Sequence, residues 1–98
     1  MMGLVRARRG RARGSGFFVT WDVDSKDRAS AKRLSYFIFG RKTRSPNGRY
    51  EYRGFVWREG VRYLAQSAVF VLPSHLEEII RFLRRNGIDY VAEPAVFG

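Results

Sequence analysis

Twice along this 98-residue chain a strand-like apolar run gives way to a helical period, and each time strand character returns afterwards. That order leaves few folds open to a chain of one domain's length. The first run, Phe17 to Val23, is aromatic and β-branched, and the two-residue period puts Phe17, Val19, Trp21 and Val23 on one face. Asp24 or Ser25 is the expected cap of a helix that carries Ala31, Leu34 and Ile38 as its apolar stripe, with Phe37 beside it. Gly40 is suited to the position just past the helix end. A basic loop follows, with turn chemistry at Pro46 to Gly48.

Two strands are then expected, over residues 49–58 and 61–72, joined at Glu59-Gly60 as a hairpin. The second is nearly continuous in apolar character through Leu64, Ala65, Ala68, Val69, Phe70, Val71 and Leu72, as a central strand would be. Ser74-His75-Leu76-Glu77 has the pattern of a capping box, and Leu76, Ile79, Ile80 and Leu83 repeat at helical spacing after it. Asn86-Gly87 closes that helix. Ile88 to Phe97 makes a last strand, which Pro94 assigns to a sheet edge. Strand, helix, strand, strand, helix, strand is the βαββαβ order of a ferredoxin-like α+β domain, with two helices on one face of a four-stranded antiparallel sheet. The chain divides into an arm, residues 1–16, and that domain, residues 17–98.

Charge narrows the function. The chain has 19 Lys plus Arg against 9 Asp plus Glu, a net charge of +10 and a pI near 11.1. A field of that sign attracts polyanions. Arginine supplies nearly all of it, and guanidinium groups grip phosphate in a fork and stack on bases. Arg6, Arg8, Arg9, Arg11 and Arg13 alternate with Ala and Gly, ahead of a Gly14-Ser15-Gly16 joint. Such an arm can thread between phosphate backbones and order on contact. Arg41, Lys42, Arg44, Arg49, Arg53 and Arg58 extend the basic surface along the loop and the next strand. Tyr50, Tyr52 and Trp57 interleave with them, either to stack on bases or to pack on neighbouring strands. Arg53-Gly54-Phe55-Val56 resembles part of the aromatic signature of RNA-recognition motifs.

Other chemistries find little support. There is no cysteine, and His75 is the only histidine, which excludes zinc sites built from His and Cys. No glycine run ends in the Gly-Lys-Ser/Thr of a phosphate loop, so no cofactor is expected, and no small-molecule substrate. No apolar run approaches the ~20 residues of a membrane span, and the charged start argues against a signal peptide. A cytoplasmic location without a membrane partner is expected, and the composition leans toward a thermophile.

Two resemblances follow. An Arg/Gly/Ala arm on a compact basic α+β domain resembles the build of small ribosomal proteins. It implies a non-enzymatic protein bound to rRNA among neighbouring ribosomal proteins. Phe18 to Asp22 with the Arg28 to Arg33 helix, and Tyr63 to Phe70 with its Gln66-Ser67, are similar to the small CRISPR-associated endonuclease and integration subunit. That likeness implies a dimeric Mg²⁺-dependent nuclease with Asp22 at the metal. Against it, residues 41–60 are an insertion and the basic arm precedes the family's first strand. By their own chemistry Asp22 and Asp24 read as helix N-terminal acids.

Overall fold

The computed structural model describes residues 12–45 and 48–98, with Lys42 to Ser45 and Arg49 to Glu51 described by their backbone alone. In chain order the elements are strand β1 (Gly14–Asp22), helix α1 (Arg28–Phe39), strands β2 (Gly40–Ser45) and β3 (Gly48–Arg53), and a 3₁₀ turn (Phe55–Trp57). Strands β4 (Val61–Ala65) and β5 (Ala68–Val71), helix α2 (Pro73–Arg85) and strand β6 (Asp89–Phe97) complete the chain.

Four strands form one antiparallel sheet in the order β4-β5-β1-β6, and β2 pairs only with β3. With that hairpin set aside, the order is the ferredoxin-like one and both helices lie on one face. The hairpin is an insertion between α1 and the second strand of the core sheet. Strands β4 and β6 are the edges, in keeping with Pro94 in β6.

The core lies between that sheet and the helices. Val19 and Trp21 of β1, Val69 and Val71 of β5, Leu34 and Ile38 of α1, and Ile79 and Leu83 of α2 are all buried there. The 3₁₀ turn adds Phe55 and Val56, both fully buried. Phe37 stacks between Phe55 and Phe82, at centroid distances of 5.2 and 4.2 Å, and so joins α1, the turn and α2.

Several local expectations are corrected. Strand β1 begins at Gly14, not Phe17, so the supposed Gly14-Ser15-Gly16 joint is paired chain, opposite Phe97, Val96 and Ala95. A Cβ on Gly16 would sit 2.3 Å from the Val71 carbonyl oxygen and 2.8 Å from a Phe70 ring carbon, so glycine serves close packing there. The cap of α1 is Asp27, whose carboxylate accepts from the Ser30 N–H at 3.0 Å. Asp24 instead closes the preceding turn by accepting from the Lys26 N–H at 2.9 Å. The buried stripe of α1 is Ser30, Leu34 and Ile38, and Ala31 is exposed.

The Ser74–Glu77 capping box does not form. Helix α2 starts two residues earlier, with Leu72 at the cap position, Pro73 at its first position and no side-chain cap. Proline's fixed φ preorganises that position and it has no N–H to satisfy. The largest revision concerns residues 49–72. The supposed strand 49–58 splits into β3 and the buried turn, and β3 pairs back with β2. The supposed strand 61–72 is itself a hairpin that reverses at Gln66-Ser67, with Val61 opposite Val71 and Ala65 opposite Ala68. The polar pair Gln66-Ser67, set in an otherwise largely apolar stretch, makes that turn.

Candidate nucleic-acid interface

Helix α1 ends at Gly40, where φ is +87° and the amide donates to the Tyr36 carbonyl. The chain reverses there into β2 without a linker. Gly54, at the far root of the hairpin, lies so close that a Cβ would fall 2.2 Å from the Ile38 carbonyl oxygen and 2.5 Å from the Gly40 nitrogen. Two glycines thus let the roots of the ribbon cross backbone to backbone, and Phe55 and Val56 anchor its return in the core.

The register sorts the ribbon's residues. Arg41 is opposite Tyr52 and Thr43 opposite Tyr50, while Gly40 is opposite Arg53, Lys42 opposite Glu51 and Arg44 opposite Arg49. Because residues alternate sides with a period of two, one side of the ribbon holds Arg41, Tyr50 and Tyr52. The other holds Arg53, Lys42, Arg44 and Arg49, with Glu51 as its single acid. Arg44 and Arg49 are register partners across the ribbon.

Sequence reasoning missed the continuation of this surface onto α1. That helix contains no acid, and Arg28, Lys32 and Tyr36 recur at every fourth residue along one face. Tyr36 holds the Lys32 ammonium at 5.9 Å and the Arg41 guanidinium at 4.4 Å from its ring centroid, which links the helix row to the ribbon. From Arg28 to Arg58 nine cations stand against Glu51 alone. The i, i+4 spacing of these residues is the sequence signal for that row.

Other expected residues are distributed as follows. Arg6, Arg8, Arg9 and Arg11 lie outside the described residues, and Arg13 is exposed just before β1. For Lys42, Arg44, Arg49 and Tyr50 the backbone register is the extent of the description. Tyr52 and Arg53 are exposed, Tyr52 by 46%. Trp57 is half-buried against the core, and Arg58 pairs with Glu78 of α2, so these two support the turn and leave the ribbon. The Arg53-Gly54-Phe55-Val56 signature falls where strand ends and buried turn begins, and its Phe55 has no exposed ring.

No family model, curated protein or solved structure matches the chain.

The carboxylates at the end of β1 do not converge. Asp22 is exposed and faces Asp89 across the β1–β6 ladder, Asp24 closes a turn, and Asp27 caps α1. Among the described residues no group of three or more His, Asp or Glu could hold a metal ion. His75 is half-buried, its ring 6.1 Å from that of Phe55.

Proposed function

We propose that this chain is a non-enzymatic RNA-binding protein of the ribosomal or ribosome-associated kind. Its basic ribbon, helix α1 and N-terminal arm would grip the phosphates of rRNA. The observation that carries this is the ribbon itself. It lies outside the core sheet and concentrates five cations against one acid over residues 40–53. A polyanion is the partner that such a concentration of cations attracts. Arginine-rich ribbons and arms position a protein on folded RNA, while neighbouring proteins of the particle complete the contact.

The test is a salt titration of binding to structured rRNA fragments. Alanine at Arg41, Lys42, Arg44, Arg49 and Arg53 should weaken binding broadly and flatten the log–log salt slope by about 3.5–4.5 if all five meet phosphates. An unchanged slope removes the ribbon from the interface. In cell extract the intact chain should remain on one ribosomal subunit through a high-salt sucrose gradient. Sedimentation only at the top of the gradient would sink the ribosomal assignment.

A further inference from the structure

The sheet face turned away from the helices carries a second feature, gathered at one end. On that face Phe18 of β1 is opposite Phe70 of β5, and Arg62 of β4 is opposite Phe70 in turn. Gly14 and Gly16 of β1 have no side chains to fill the space beside them. Phe97, opposite Gly14, leans across that gap until its ring is 5.4 Å from Phe70, and the Arg62 guanidinium lies 4.0 Å from the Phe97 centroid. Phe70 is fully buried beneath this cover, whereas Phe18 stays 37% exposed. Phe70 and Phe97 meet the Phe18 ring at 76° and 75°, edge to face, so neither lies on it in a parallel stack.

We infer that Phe18 is a stacking platform for an unpaired base of single-stranded RNA. The inference rests on the RNA-binding reading above and names a second contact and the kind of RNA it takes. A partly exposed ring held rigidly by two others loses little freedom when a base settles on it. Charge sets the direction of the strand. Arg62 flanks the rings on the β4 side, and Arg13 immediately precedes the Gly14 that pairs with Phe97. The acids of this face occupy the other side: Glu93 is opposite Phe18 on β6, and Asp22 and Asp89 are paired farther along. An RNA backbone is therefore repelled from β6 and drawn toward Arg62, while its base reaches the ring. A protein partner would gain from the apolar rings but has no need of this gradient.

The experiment compares the full chain with Phe18→Leu and Phe18→Trp in binding a labelled single-stranded oligoribonucleotide across a salt series. Phe18→Leu keeps an apolar side chain at an exposed site and removes only the ring. It should weaken binding about tenfold at every salt concentration with the slope unchanged, because stacking releases no counterions. Phe18→Trp should bind at least as well as the natural chain. Quenching of a 2-aminopurine in the oligomer should follow the same order. Undiminished binding by Phe18→Leu, with the five-alanine ribbon variant still impaired, would overturn the platform and leave the ribbon reading standing. Absence of binding by the unaltered chain to any RNA would overturn both. Self-association of the RNA-free chain that Phe18→Leu abolishes would also overturn the platform, by showing a second copy seated on the ring.

Discussion

At Asp27 the carboxylate accepts the Ser30 N–H and contacts the Ser30 hydroxyl, and these hydrogen bonds hold its pKa below the ordinary 3.8, with the nearby Arg33 guanidinium adding to them. A depressed carboxylate pKa stabilises the folded state above the unfolded value, and that contribution is lost as pH falls through the folded one. Asp27→Asn keeps a capping oxygen and should remove this part of the acid unfolding limb below about pH 4, as followed by circular dichroism. Asp27→Ala loses the cap as well and should lower the melting temperature at neutral pH. Equal melting temperatures for the two variants would contradict the capping role. Gly16 presents the opposite case, a position defined by the lack of a side chain. Gly16→Ala drives a methyl into the Val71 carbonyl and the Phe70 ring, and should cost about 1–3 kcal/mol in denaturant unfolding.

Among the elements, the ribbon and the 3₁₀ turn after it divide function from stability. The turn delivers Phe55 and Val56 to the core, and Phe55 stacks on Phe37. Phe55→Ala should cost about 3–5 kcal/mol, a large share of a small domain's stability, and is measurable by urea unfolding. Replacing residues 41–53 with a short Gly/Ser link that still joins Gly40 to Gly54 should leave the core spectrum intact, because β2 and β3 pair only with each other. The same change should weaken RNA binding. A chain that failed to fold after this replacement would show that the ribbon supports the core. The hairpin's pairing was not legible in the sequence. Residues 49–58 have strand-like alternation, but alternation does not name a partner, and nothing local says that β3 turns back to β2. The proline at the start of α2 was visible, yet Ser74 and Glu77 offered a competing cap that the earlier helix start makes unusable.

At the scale of the whole fold, the described charges are unevenly placed. The cations run from α1 along the ribbon, while Asp22, Asp89 and Glu93 gather where β1 meets the β6 edge. A field so divided orients the chain on a polyanion before any contact forms, and association should slow steeply as salt rises. Stopped-flow binding should show the association rate falling between low and physiological salt for the natural chain, and much less for the five-alanine ribbon variant. Among the described residues no helix is long and apolar enough to cross a membrane. Legible in the sequence alone were the two-helix α+β order, the core stripes of β1 and α2, and the excess of positive charge. Each of these follows from local period and composition, which a chain carries wherever it folds. Strand pairing, the departure of residues 40–53 from the sheet as a ribbon, and the link from Lys32 through Tyr36 to Arg41 appear only in the tertiary structure. It also decided that Phe18, Phe97 and Arg62 meet on one face. Those are contacts between residues distant in sequence, selected by which arrangement buries the most apolar surface without stranding backbone donors, and no local pattern encodes them.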